Sequence, residues 1–140
     1  MSATARGLAG LILIGLPLSA LACGYCIEDK IAAAYDHAVI TRALAQKHQV
    51  AFFAIEGPVL SGESAHRAIA AIAESAYGVD KRSARVSVES ASLAVAFDPT
   101  RVPLGTMERA LSRKLAAKGL SISLLRVMDR PAQLKSVGQR

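Results

Sequence analysis

The residues best suited to chemistry in this chain are Cys23 and Cys26, its only two cysteines, which stand three positions apart in Cys23-Gly24-Tyr25-Cys26. Two thiolates at this spacing can bind a soft metal ion such as Cu(I), or they can form and break a disulfide. The two cysteines stand at the start of a segment whose sequence predicts a helix. The unsatisfied N–H groups at a helix N-terminus stabilise thiolate in either role. A zinc site is not indicated, because Zn²⁺ takes four ligands and the chain has no second pair of thiols.

The segment ahead of the cysteines has the features of a signal peptide over residues 1–22. Arg6 supplies a positive charge, residues 8–18 are apolar or small, and Ala20-Leu21-Ala22 has the small-x-small pattern of a cleavage site. We expect cleavage after Ala22 and a mature protein that begins at Cys23 in the periplasm or outside the cell. The alternative is lipoprotein processing with a lipid anchor on Cys23, which Ala20 and Leu21 fit less well.

The composition argues against nucleic acid as a partner and against a disulfide scaffold. The net charge is +6, but the basic residues are spread along the chain, aromatic residues make up 4% and tryptophan is absent. Stacking of bases needs aromatic side chains, so we interpret the charge as a solvated surface. One pair of cysteines cannot replace a hydrophobic core. No catalytic triad, phosphate loop or carboxylate pair stands out, and the sequence does not predict an enzyme unless it is a thiol–disulfide one.

The order of helices and strands predicts an α+β fold. An alanine-rich helix bearing the Cys-x-x-Cys is expected within residues 23–48, with a core-facing stripe at Ile27, Ile31, Ala34, Ala38 and Ala45. A ferredoxin-like βαββαβ unit is expected over residues 50–128, and a flexible polar tail over 129–140. Within that unit the predicted strands are 50–55, 85–89, 92–97 and 120–127, and the predicted helices run from Ser61 or Ser64 to Tyr77 and from Leu104 to Lys118.

The second half of this unit resembles a heavy-metal-associated domain, the small module of copper chaperones and metal-pumping ATPases. The resemblance rests on Val86-Ser-Val-Glu89, on Leu93-Ala-Val-Ala-Phe-Asp-Pro99 and on Val102. It implies a ferredoxin-like fold, binding of a metal ion without enzymatic activity, and a metal transporter or another protein as partner.

The metal-binding loop of that family is altered in this chain. The family pattern after the first strand is Gly-Met-x-Cys-x-x-Cys, whereas here Ser61 and Ser64 stand at the places of the cysteines. A serine hydroxyl stays protonated and cannot replace thiolate as a ligand for Cu(I), and we expect one of these serines to cap the following helix. His66 is the histidine nearest to that loop, whereas His37 is about 16 Å from Cys26 along a continuous helix.

The sequence therefore predicts an exported, non-enzymatic protein that binds a heavy-metal ion, Cu(I) in particular, through Cys23 and Cys26. The alternative is a thiol–disulfide redox protein, or an interaction module in which the two cysteines form a static disulfide.

Overall fold

A computed structural model describes residues 22–58 and 61–131, with side chains from residue 27 onward. Two helices precede a unit of four strands and two further helices. The elements are α1 (Ala22–Ala33), α2 (His37–Ala45), β1 (Gln49–Glu56), α3 (Glu63–Glu74), β2 (Arg85–Ser87), β3 (Ser92–Phe97), α4 (Leu104–Ala116) and β4 (Ser121–Met128).

The four strands form one antiparallel sheet in the order β2-β3-β1-β4. Since α3 joins β1 to β2 and α4 joins β3 to β4, this is the ferredoxin-like βαββαβ arrangement, and the predicted fold class is confirmed. The outer strand β4 carries an irregularity opposite Phe52 and Phe53, where the pairing shifts from Arg126 to Leu124. The extra residue, Leu125, forms a β-bulge.

Both faces of the sheet are covered by helices. On one face α3 and α4 close the larger core, whose central members include Phe53, Phe97, Met107, Leu111 and Leu115. On the other face α1 and α2 close a second core, which contains Ile31, Ile40, Phe52, Ala94 and Ala96. Successive side chains of a strand point to opposite faces, so the neighbours Phe52 and Phe53 each fill a different core. The result is a three-layer molecule.

The strand β3 does not alternate between buried and exposed residues. All six of its residues are buried, including Ser92. A strand at the surface would alternate, but this one lies between two helical layers, as central strands of covered sheets do. Ala94 and Ala96 face the second core, and their small side chains let α1 and α2 approach the sheet closely.

The N-terminal helix that was expected as one element is two. The break falls at residues 34–36, where Asp36 has an extended conformation and accepts hydrogen bonds from the backbone N–H groups of Ala38 and Val39, at 2.9 and 3.1 Å. Aspartate in this position caps a new helix N-terminus. The prediction failed because the alanine-rich composition on both sides favours a continuous helix.

The break also displaces the buried stripe. Ile31 and Ala34 are buried as predicted, but Ala38 and Ala45 are exposed, and Ile27 is at the border of exposure. Because α2 is a separate helix, the face it turns toward the sheet does not continue that of α1. The residues of α2 that are buried are Val39, Ile40 and Ala43.

The predicted serine cap of α3 is wrong. The residue before the helix is Gly62, with φ 111° and ψ 167°, and no described side chain caps this helix end with a hydrogen bond. Ser61 stands one residue too early to cap and Ser64 already lies within the helix. Glycine occupies the cap because that positive φ is costly for any residue with a Cβ atom.

Candidate functional site

The Cys-x-x-Cys motif lies in the first turns of α1. This helix begins at Ala22, and the backbone is helical at both Cys23 and Cys26. In helical geometry two positions three apart have their Cα atoms about 5 Å from each other. That separation suits a shared metal ion, and it also falls within the range of a disulfide. The side chains of both cysteines lie outside the described part of the structure, as do residues 1–21 of the predicted signal peptide and residues 132–140 of the predicted tail.

The helix that carries the motif is tied to the sheet by polar contacts. Arg126 of β4 donates to both carboxylate oxygens of Glu28, one of these bonds being 3.2 Å long. The ammonium of Lys30 donates to the carbonyl oxygens of Ser90 and Ala91 in the turn between β2 and β3. The first contact lies two residues beyond Cys26, so α1 is tied to the sheet close to the motif.

These contacts also give the direction of α1. Glu28, near the middle of α1, meets the outer strand β4, and Asp36, just after α1, pairs with Arg85 of the opposite outer strand β2 at 2.6 Å. The helix thus crosses the sheet from β4 to β2, and the cysteine-bearing end lies on the β4 side.

The loop between β1 and α3 has no soft ligand among its described residues. Ser61 and Ser64 are both exposed, and residues 59 and 60 lie outside the described ranges. His66, in the first turn of α3, is half-buried, and its Nδ1 atom has no hydrogen-bond partner among the described residues. The described residues of this loop and of the first turn of α3 offer nitrogen and oxygen atoms but no sulfur.

A polar cluster surrounds His48 that was not predicted from the sequence. The ring Nδ1 lies 2.6 Å from Oδ2 of Asp80, and the ring Nε2 lies 3.7 Å from Oδ2 of Asp98. The three side chains are 20–28% exposed. Asp80 follows α3 and Asp98 follows β3, so residues 32 and 50 positions away from the histidine are brought together only by the fold.

The carboxylate of Asp98 is held in place by the loop that follows it. Its Oδ1 accepts hydrogen bonds from the backbone N–H of Thr100 at 2.9 Å and from the Thr100 hydroxyl at 2.7 Å. These bonds, with smaller contributions from the charges of His48 and Arg101, lower the pKa of Asp98 below its usual value. The second oxygen, Oδ2, is the one that lies 3.7 Å from Nε2 of His48.

The other histidine considered for a ligand role is isolated from both sites. His37 is exposed at the start of α2, and its Nε2 is 3.5 Å from the hydroxyl of Thr41. In the part of the chain that the structure describes, no three His, Cys, Asp or Glu side chains are grouped so that they could jointly hold a metal ion. None of the described helices has both the length and the apolar content needed to cross a membrane.

Comparison with protein-family models finds no match, and comparison with curated proteins finds none either. Among solved structures, the chain is similar to oxidized MerP from Ralstonia metallidurans CH34, with 18% identity and a TM-score of 0.44 over 56% of this chain and 99% of that one. It is also similar to a copper binding domain from HMA7, a P-type ATPase, with 19% identity and a TM-score of 0.45 over 56% of this chain and 96% of that one. At this level of similarity neither comparison supports an argument about ligands.

Proposed function

We propose that this chain is an exported, non-enzymatic protein that binds Cu(I) through Cys23 and Cys26. The observation that carries the proposal is the pair of cysteines three positions apart at the N-terminal end of α1. Thiolates are the ligands that Cu(I) prefers, and two of them satisfy this ion. The free N–H groups of the first helical turn favour the thiolate form that metal binding requires.

The position of α1 in the fold supports a site with a fixed relation to the core. The ion pair of Glu28 with Arg126 and the bonds of Lys30 to the β2–β3 turn anchor α1 just beyond the motif. A metal ion held by the cysteines would therefore be presented at one edge of the sheet. A partner, such as a metal transporter, would recognise the ion together with the outer strand β4.

The decisive experiment is an anaerobic Cu(I) titration of the reduced protein against a competing chelator. We expect one Cu(I) ion per chain, and loss of this binding in the Cys23→Ser/Cys26→Ser double variant. A matched control is the Ser61→Ala/Ser64→Ala variant, which alters the loop after β1 and should bind as the parent does. Equal binding by the parent and the cysteine double variant would refute the proposal.

The same Cα separation of about 5 Å favours a second candidate, a reversible disulfide between the two cysteines. A redox titration of the protein with an insulin-reduction assay tests this candidate separately. Reductase activity together with absent Cu(I) binding would establish the redox function in place of the metal one. Intact-mass analysis of protein from its native host would test the export step, for which we expect a chain beginning at Cys23 without a diacylglycerol group.

A further inference from the structure

We propose that the outer edge of β4 pairs with β4 of a second copy of this chain, in antiparallel orientation about a twofold axis. The strand β4 ends the sheet, so in the described part of the chain no other strand covers its outer edge. The backbone N–H and C=O groups along such an edge are a template for pairing with another strand.

Of the two outer strands, β4 is the one whose length and composition suit pairing. It has eight residues, and the stretch Ser121-Ile122-Ser123-Leu124-Leu125 contains neither a charged residue nor a proline. The opposite outer strand β2 has three residues, contains Arg85 and follows Lys81 and Arg82. Short length and basic side chains are common devices that prevent pairing at a sheet edge. The edge of β2 has both, whereas residues 121–125 of β4 have neither.

The bulge in β4 limits the part of the strand that can pair. Leu125 is the extra residue of the bulge, and Arg126 follows it with a charge. A bulge bends the strand and interrupts the regular hydrogen-bond ladder. Regular pairing with a second copy is therefore confined to the stretch before Leu125.

The two faces of the sheet restrict the register of this pairing. Ile122 packs against the larger core and Leu124 pairs with Phe53, so both lie on the α3–α4 face, while Ser123 between them lies on the α1–α2 face. Residues directly opposite one another in a sheet share a face. Placing Ser123 opposite itself and Ile122 opposite Leu124 of the second copy satisfies this rule.

Other registers fit less well. A shift by one residue would set side chains of opposite faces against each other. A shift by two residues in one direction brings the bulge at Leu125 into the ladder. In the other direction it brings in Leu120, which precedes β4 and is 5% exposed. The register centred on Ser123 uses the whole regular stretch.

The apolar side chains at this edge gain contacts in that register. Leu124 is 39% exposed and Ile122 is half-buried. Each of these side chains would lie beside the other type from the second copy, on the α3–α4 face, and such cross-strand apolar pairs stabilise a sheet. Since only a short stretch pairs, we expect weak association that depends on protein concentration.

Pairing through β4 also bears on the function proposed above. A twofold axis perpendicular to the sheet keeps both α1 helices on the same face. The cysteine-bearing end of α1 lies on the β4 side, so the ends of both helices would lie on the side of the interface. If the cysteines bind Cu(I) as proposed, a partner that recognises the ion together with β4 must displace the second copy.

Engineered cysteines test the register. In the Cys23→Ser/Cys26→Ser background, Ser123→Cys places a thiol of each copy at the twofold axis, where opposite Cα atoms are about 4.5–5.5 Å apart, within the range of a disulfide. The matched control is Ser121→Cys, also at an exposed serine, which in this register lies about 13 Å from its counterpart along the strand. Under mild oxidation we expect a disulfide-linked dimer from Ser123→Cys and a monomer from Ser121→Cys.

Sedimentation equilibrium measures the association without a cross-link. In the same background we expect a dimer population that rises with concentration and is lost in Leu124→Lys, because this change replaces an apolar contact with like charges. Ala116→Lys adds the same charge at an exposed position of α4 and should associate as the parent does.

Equal cross-linking by the two engineered-cysteine variants, or no cross-linking by either, would overturn the proposal and leave the edge of β4 to a strand of another protein. Association that persists unchanged in Leu124→Lys would also overturn it. Because these proteins lack the native cysteines, the result is independent of whether Cys23 and Cys26 bind Cu(I).

Discussion

Glu28 and Arg126 join the first described helix to the last strand through two parallel hydrogen bonds between guanidinium and carboxylate. Arg126 faces α1 because the bulge at Leu125 places these two neighbours on the same side of β4. The pair lies at the surface, with 45% and 59% of the two side chains exposed, so its contribution to global stability is small. Its effect is local, on how firmly α1 is held against β4.

The first prediction concerns this anchor. In Arg126→Ala we expect faster hydrogen exchange of the α1 amides, because the helix loses its contact with β4, while the global unfolding transition changes little. Hydrogen exchange followed by mass spectrometry measures this effect. Arg130→Ala is the control, since Arg130 is 85% exposed and pairs with the adjacent Asp129 at 3.7 Å. Unchanged exchange in α1 would contradict the anchoring role.

The second prediction tests the three-layer arrangement. Phe52 and Phe53 are both fully buried, but Phe52 packs against α1 and α2 whereas Phe53 packs against α3 and α4. Truncation of either to alanine should lower the free energy of unfolding by about 3–5 kcal/mol. Urea denaturation followed by circular dichroism gives the values, with Leu124→Ala, a 39% exposed position, as a control that should cost about 0.5 kcal/mol or less. If Phe52→Ala cost no more than this control, α1 and α2 would not cover the sheet in solution.

The third prediction concerns the end of α2, where Lys47 adopts a left-handed conformation with φ 61°. The N–H of His48 donates to the carbonyl of Ala43 at 2.9 Å, which makes this end a Schellman motif. Glycine is the favoured residue in such a position, so Lys47→Gly should raise stability by about 0.5–1 kcal/mol in thermal or urea unfolding.

The matched counterpart is the end of α4, where Gly119 has φ 74° in the same motif. A Cβ atom there would meet no other atom within 4 Å, so Gly119→Ala isolates the backbone cost. We expect a loss of about 1 kcal/mol. Effects of the same sign in Lys47→Gly and Gly119→Ala would disprove this account of the two helix ends.

The fourth prediction is a pH dependence centred on Asp36. The hydrogen bond from Arg85, and then the backbone N–H of Val39, lower the pKa of Asp36 below its usual value. Because the pKa is lower in the folded than in the unfolded chain, the stabilisation is complete above the unfolded-state pKa and is lost as pH falls through the folded-state pKa. Asp36→Asn keeps the helix cap but removes the charge, so its stability should fall less than that of the parent between pH 7 and pH 3.

At pH 7, Asp36→Ala should cost about 1 kcal/mol because the cap is lost as well. Asp29→Asn, which removes an exposed carboxylate in α1 and leaves this cap intact, serves as the matched control. Parallel pH profiles for the parent and Asp36→Asn would exclude a stabilising role for the charge of Asp36.

The sequence was sufficient to predict the ferredoxin-like unit. Apolar runs predicted the strands, and the glycine at position 119 predicted the end of the last helix. The structure places this glycine just after α4 with a positive φ. The uninterrupted apolar run of β1 also contained a signal for burial on both faces. This run does not indicate which element covers the second face, because the packing of α1 on the sheet depends on contacts with residues far along the chain.

The candidate sites show the same division between local and distant information. The spacing of Cys23 and Cys26 is a local pattern and is visible in the sequence alone. The cluster of His48 with Asp80 and Asp98 is not, because three separate loops supply its members and no short motif connects them. Asp36 was overlooked as a cap since alanine-rich flanks suggested one helix instead of two.

The placement of α1 has a consequence for the order in which the chain is assembled. The residues that hold this helix lie far along the chain and are therefore synthesised later. Lys30 contacts a carbonyl 60 positions further on, and Glu28 contacts a side chain 98 positions further on. Contacts between such distant residues form only after long loops have closed. The segment with both cysteines therefore leaves the ribosome well before the strand that anchors it has been made. A metal ion or an oxidant that meets the cysteines during this interval meets them on a segment that has not yet docked on the sheet.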